Sequence, residues 1–271
     1  MKTILCPTDF SSTADNAIAY AAKMAKHVHA DLTLLNVQSL FERTPVEAIW
    51  GEDWNVETAS SKLEAQCREV QNVFKVPCDS EVATAITSTT KTIGEVAKKY
   101  DLVIMGTKGP TDLFHFFAGS NTYNVIRKSS TPVLLIPEGC GYTDVTQVVY
   151  AFDYWRKADL PIRQLINFTK PLQSKLTVLQ IMEESVSLKA KKETQEFQQL
   201  VKELYPEEPL DFDTIHTGTL INSIHHYMLE HEADVLALCA EDHGFIEALF
   251  HKSVIKAFTV IAKYPVFVFH E

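Results

Sequence analysis

Basic charge is in short supply in this chain of 271 residues: 25 Lys and Arg stand against 35 Asp and Glu, a net charge of −10. No basic cluster overrides that average, so the surface repels nucleic acid and anionic membranes, and neither is expected as a partner. Cysteine is scarce too. The five, at Cys6, Cys67, Cys78, Cys140 and Cys239, are odd in number and never spaced C-x-x-C. That argues against a disulfide framework or a cysteine-based zinc site and suits a reducing, cytoplasmic location. No apolar run approaches the ~18 residues that would span a membrane. The opening "MKTILCPTDF" is too short to be a signal peptide and reads as a buried first strand. Glycine occurs only nine times, yet three of those fall between Gly106 and Gly119.

What is present is a chain able to bury a core, with 46% hydrophobic and 22% charged residues. It is also written twice. "TILCPTDF" is echoed by "QVVYAFDY", with Asp9 on Asp153, and "ADLTLLNVQ" by "SKLTVLQIM", with Val37 on Ile181, both at an offset of 144. "STPVLLIP" is echoed by "KYPVFVFH" at an offset of 133, with Pro132 on Pro265. Two copies of about 135 residues make two ordinary domains. We place them at 1–140 and 141–271, with the seam in "EGCGYTD", 138–144.

Within the first copy, strands are predicted at 2–7, 31–37, 79–86, 101–106 and 132–136. Helices are predicted at about 13–28, 57–74, 89–99 and 119–129, with an irregular insertion at 40–55. Ser12 and Asp15 resemble a capping box at the start of the first helix. Continuous apolar runs such as "LVIM" and "VLLI" suit strands covered on both faces, and alternation with helices implies a parallel sheet. The second copy repeats the order in "TQVVYAF", "KLTVLQI", "LDFDTI", "DVLALCA" and "PVFVFH".

The stretch "MGTKGPTDLFHFFAGSNTYNVIRK", 105–128, joins the end of a strand to the start of a helix. In open α/β sheets, ligands bind in the crevice outside the carboxyl ends of the strands, and a helix N-terminus there is a ready anion site. Glycines at 106, 109 and 119 would let main chain approach a ligand, with the Ser120 hydroxyl beside the last of them. A surface loop punctuated by turn glycines is the competing reading. There is no G-x-x-x-x-G-K-[ST], and "GCGYTD" at 139–144 lacks the third glycine of a dinucleotide fingerprint.

The spacing of Gly106, Gly109, Gly119 and Ser120 resembles the nucleotide motif of the universal stress protein family. "ILCPTDFSSTADNAIAYAAKMA" looks like that family's first strand and helix, and "TPVLLIP" like its last strand. The resemblance spans 1–137, and the whole chain looks like a tandem member. It implies an α/β fold: two fused domains, each an open five-stranded parallel sheet, order 3-2-1-4-5, flanked by helices. It also implies an adenine nucleotide, ATP, held between strands 1 and 4, with magnesium bridging its phosphates near Asp9. Carried over by position, Pro7, Thr8 and Asp9 lie against adenine and ribose, and the main chain of Val37 meets adenine. Met105 and Gly106 form the floor under the ribose, and Gly109, Gly119, Ser120 and Asn121 the phosphate cradle. Lys108 stands at a variable position, within reach of a phosphate or in solvent. The family's subunits pair through their last strands, so the resemblance implies pairing of the two domains within one chain, and a homodimer beyond it.

The second copy departs from this pattern. Ala151 and Phe152 replace Pro7 and Thr8, Glu241 stands where Gly106 does, and Lys252-Ser253 replaces Gly119-Ser120, although Asp153 and Gly244 remain. A carboxylate aimed at a phosphate site repels it, and a cost of even ~1–2 kcal/mol weakens binding about tenfold. Nucleotide is therefore expected in the first copy alone. His225, His226 and His231 invite a metal, but H-E-x-x-H is absent and the three diverge around a helix, so a solvated helix face is expected instead. No evident nucleophile or base serves in-line attack. The expectation is a nucleotide-binding regulatory protein of the stress response. A slow ATP hydrolase, a nucleotide transferase, and an interaction scaffold stay open as alternatives.

Overall fold

The computed structural model describes residues 1–39, 56–86, 88–107, 130–152, 159–182, 188–216, 220–239 and 264–270. These fall into two compact units that divide between Tyr142 and Thr143. The predicted insertion at 40–55 and the predicted helix at 119–129 lie outside the described residues.

The first unit contains β1 (Thr3–Pro7), α1 (Ser12–Val28), β2 (Asp31–Ser39), α2 (Val56–Phe74), β3 (Cys78–Ala85), α3 (Thr89–Ala97), β4 (Leu102–Thr107) and β5 (Val133–Pro137). Its strands are all parallel, in the order β3-β2-β1-β4-β5. The second contains β6 (Gln147–Phe152), α4 (Asp159–Leu172), β7 (Lys175–Met182), α5 (Leu188–Leu204), β8 (Leu210–His216), α6 (Leu220–Glu230), β9 (Val235–Cys239) and β10 (Val266–Phe269). Its order, β8-β7-β6-β9-β10, is the same winding. This is the α/β fold expected of two fused parallel-sheet domains.

Strands β5, β9 and β10 are buried along their length, as strands covered on both faces must be: "VLLIP", "VLALC" and "VFVF" have no exposed residue. The outer strands β3 and β8 carry Asp79, Glu81, Asp211 and Asp213 instead, charges that discourage pairing with a stray chain. Helix α1 buries Ala14, Ala17, Ile18, Ala21, Ala22 and Ala25. Five of its nine buried residues are alanine, which lets the helix lie close on the sheet. The second unit fills its core with larger side chains, stacking Phe168 on Phe267 with ring centroids 4.0 Å apart.

The expected capping box does not form, and the cap lies one residue earlier. Ser11, not Ser12, caps α1, its Oγ accepting the Ala14 N–H at 3.3 Å, while Asp15 Oδ1 accepts from Gln66 Nε2 at 2.9 Å. The preceding turn brings the chain to helical dihedrals one residue earlier, at Ser12. At the other end His29 takes a left-handed φ of 55°, and Gln173, its counterpart 144 residues on, takes 57°. Left-handed residues of this kind end helices without glycine at modest strain. The repeat is thus preserved at a position where the two amino acids differ.

A second repeated device is a carboxylate clamp. Asp101 Oδ2 accepts the N–H groups of Lys2 at 2.6 Å and Thr3 at 3.1 Å, tying the start of β4 to the start of β1. Asp234, 133 residues on, accepts from the N–H groups of Thr146 and Gln147 at 2.7 and 2.9 Å. Burial works against the Asp101 charge, but the N–H donors of Lys2 and Thr3, with the terminal ammonium, outweigh it and hold the carboxyl below the usual range. A depressed folded pKa contributes stability above the unfolded value of ~3.9, and that contribution disappears as pH falls through the folded value. Asp101→Asn is therefore expected to destabilise the first unit by about 1 kcal/mol at neutral pH, the group being partly solvated. The gap from the parent chain should close in denaturant melts below pH ~4. A gap that is constant with pH would assign the effect to shape and not to charge.

Candidate functional site: the fork between β1 and β4

The winding of the first sheet reverses between β1 and β4. Their ladder holds only Ile4–Leu102 and Leu5–Val103, although β1 continues to Pro7 and β4 to Thr107. Each continues paired to its outer neighbour, β1 to β2 through Pro7–Leu35 and β4 to β5 through Thr107–Pro137. The ladder between them thus stops short of their carboxyl ends, the place where open sheets of this winding bind ligands.

The rim on the β1 side is built by "PTDFS". Thr8 Oγ1 accepts the Phe10 N–H and Asp9 Oδ1 accepts the Ser11 N–H, both at 3.0 Å. These two side-chain turns carry Phe10 through a left-handed φ of 64°, an uncommon conformation for an aromatic residue. They deliver Ser11 to its capping position and leave Asp9 exposed. Thr8 itself is buried: its N–H donates to the Leu35 carbonyl at 2.8 Å, and its own carbonyl accepts Asn36 Nδ2 at 2.8 Å. Gln38 Nε2 donates in turn to Asn36 Oδ1. A hydrogen-bonded line of buried polar groups thus fastens the end of β1 to β2. Sequence reasoning missed Asn36 and Gln38; their signal was two amides inside the apolar strand "LTLLNVQS".

Of the residues singled out from the sequence, Pro7, Thr8 and Asp9 lie at the end of β1, Val37 near the end of β2, and Met105 and Gly106 in the last half of β4. Three neighbouring strands therefore bring six of them to one end of the sheet. Val37, Met105 and Gly106 are half-buried. Lys108, Gly109, Gly119, Ser120 and Asn121 lie outside the described residues.

Gly106 has a structural duty. A Cβ there would lie 2.3 Å from the Thr13 carbonyl oxygen and 2.9 Å from Thr13 Cγ2. What the missing side chain admits is helix α1. Thr13 Oγ1 in this helix turn, and Thr107 Oγ1 of the next residue along β4, whose side chain alternates to the opposite face of the sheet, are buried and have no hydrogen-bond partner among the described residues. An unmet buried hydroxyl costs roughly 1–3 kcal/mol, so each is a group that a polar ligand or water would satisfy.

The second unit forks likewise. Its β6–β9 ladder ends at Tyr150–Ala237, while β6 runs on to Phe152. Here the strand end is aromatic. Phe152, in the place of Thr8, is 2% exposed and stacks on Tyr150 with centroids 5.5 Å apart, and Tyr150 lies 5.6 Å from Phe269. Gln180, in the place of Asn36, faces its helix and accepts from Thr194 Oγ1 at 2.8 Å. The polar fastening of the first unit is not reproduced. Asp153, Glu241, Gly244, Lys252 and Ser253 lie outside the described residues.

Elsewhere, His226 Nε2 meets Glu230 Oε1 at 3.0 Å on an exposed turn of α6, and His231 stacks on Tyr227. Among the described residues no three His, Cys, Asp or Glu side chains gather as metal ligands, and no helix is long and apolar enough to cross a membrane.

Comparison with known proteins agrees with this geometry. The sequence model of the universal stress protein family matches residues 1–137. A universal stress protein of Methanocaldococcus jannaschii is 31% identical over 154 residues, covering 50% of this chain and 94% of that protein. The crystal structure of a universal stress protein from Archaeoglobus fulgidus covers 99% of this chain and 98% of its own, with a TM-score of 0.74 at 15% identity, a likeness of fold. A Pseudomonas aeruginosa structure described as a putative universal stress protein covers 100% and 93%, with a TM-score of 0.57 at 14% identity.

Proposed function

This chain belongs to the universal stress protein family, and from that premise we propose that it is a regulatory receptor for an adenine nucleotide, ATP, bound by the first unit only. The observation that carries the reading is the β1–β4 fork, with its polar, hydrogen-bonded rim and the unmet Thr13 hydroxyl at the start of α1. Adenine lies against Pro7, Thr8 and the main chain of Val37, where half-buried apolar surface meets backbone groups suited to a base edge. Ribose rests on Met105 and Gly106, within reach of the exposed Asp9 carboxylate. The phosphates extend toward Gly109, Gly119, Ser120 and Asn121, whose main-chain N–H groups and short polar side chains suit an anion.

Magnesium fits the same arrangement. It is usually held by one or two carboxylates together with phosphate oxygens, and Asp9 is the exposed carboxylate at this rim. Bound there, the ion would neutralise phosphate charge in a protein whose own net charge is −10.

Binding, not consumption, is the activity. The glycines and short polar side chains of the motif suit a phosphate cradle but supply no evident nucleophile or base for in-line attack. Nucleotide in the fork would instead fix the strand ends and the turn at Phe10, altering the surface the unit presents. A steady-state phosphate-release assay on the full chain tests this. Turnover orders of magnitude below ~10 s⁻¹ with saturable ATP binding is the expected result; turnover near that value would make the protein a hydrolase.

A further inference from the structure

Spacing along the chain gives no hint that Cys67 and Cys78 belong together, but the fold makes them neighbours. Helix α2 buries Ala59, Leu63, Cys67 and Val70 along one stripe. The chain then reverses through Lys75, which has a left-handed φ of 59°, and enters β3 at Cys78. The two sulfurs end 3.3 Å apart, both as free thiols. Bonding distance for a disulfide is ~2.05 Å, so closure by about 1.3 Å suffices, within reach of small side-chain rotations.

We propose that Cys67 and Cys78 are a dithiol site for oxidation, closed to an intramolecular disulfide by hydrogen peroxide or a small organic hydroperoxide. The two thiols are 5% and 4% exposed, so the oxidant must be small. Their roles differ. Cys78 S–H donates to the Cys67 sulfur, and Cys67 S–H donates in turn to the Asp79 carbonyl oxygen at 3.1 Å. The bond from Cys78 holds Cys67 below the usual thiol range against the opposing effect of burial, while that bond and burial push Cys78 up. Cys67 is therefore the sulfur that attacks the peroxide first. Its thiolate attacks the terminal OH oxygen of the peroxide, the S–O bond forms as the O–O bond breaks, and hydroxide leaves, or alkoxide from an organic hydroperoxide, giving a Cys67 sulfenic acid. The Cys78 thiol then attacks the sulfenyl sulfur, the S–S bond forms, and water leaves with the sulfenic oxygen and the thiol proton. Two thiols are oxidised by two electrons and one peroxide is reduced.

The bond would tie α2 to β3 across a loop whose ends are 11 positions apart. Cross-links over loops of that size raise the melting temperature of the folded state, here by roughly 5–10 °C if little strain is introduced. The test uses the full chain carrying Cys140→Ser, which removes the one thiol that is not buried. The folded protein is exposed to hydrogen peroxide, then denatured and alkylated with N-ethylmaleimide. Expected are a 67–78 linked peptide, alkylation of Cys6 and Cys239 only, and a rise in melting temperature that dithiothreitol reverses. Cys67→Ser and Cys78→Ser should each abolish the link and the rise. Four alkylated thiols, a sulfinic acid at Cys67 without the link, or a link formed only after unfolding would each overturn the proposal.

Discussion

Gly106→Ala is expected to lower the melting temperature of the first unit by roughly 10 °C, corresponding to a loss of about 3 kcal/mol. The new Cβ would sit 2.3 Å from the Thr13 carbonyl oxygen and 2.9 Å from its carbonyl carbon, closer than real contacts allow. Side-chain overlaps can be relieved by rotation, but a main-chain carbonyl in the first turn of α1 moves only with the helix. That helix is seated on the sheet by Ala17, Ala21 and Ala25, each wholly buried, so lifting it opens voids along the face. Differential scanning calorimetry reads the effect directly, and an unchanged transition would mean that α1 yields freely. The result bears on function as well: loss of nucleotide binding in this variant would report a displaced helix, so Gly106 cannot by itself tell a receptor from a scaffold.

The second large effect belongs to the other unit. Phe152→Ala removes a side chain that is 2% exposed and stacked on Tyr150, and should cost about 3–5 kcal/mol in chemical denaturation of that unit. It should not create a nucleotide site. Emptying the strand end restores neither the polar line made by Thr8, Asn36 and Gln38 nor a glycine at the place of Gly106, where the register of β9 puts Cys239 and not the expected Glu241. A loss below ~1 kcal/mol would show that the aromatic cluster is not what closes this fork. A second equivalent of bound ATP in the variant would show that Phe152 alone had excluded it.

The sequence carried the architecture because apolar periodicity and repetition report burial, which is what selects layers and winding. The predicted strand at 79–86 is Cys78–Ala85 and the helix at 57–74 is Val56–Phe74. Boundaries moved where a local hydrogen bond decided them. Ser11 capped α1 in place of Ser12 because the "TDFS" turn had already aligned it. The site was legible as a set of positions but not as a set of reasons. Three glycines close together drew attention to Gly106, yet the atom nearest its absent Cβ belongs to Thr13, a contact distant in sequence. Asn36, Gln38 and the Cys67–Cys78 pair went unnoticed for the same cause: their partners are chosen by strand order and helix docking, which no short motif records.

Asymmetry between two units of one winding is the centre of this account, and isothermal titration calorimetry of the full chain with magnesium and ATP addresses it most directly. One site per chain is predicted, removed by unfolding the first unit and untouched by Phe152→Ala. Two equal sites per chain, or no heat at millimolar ATP, would contradict it.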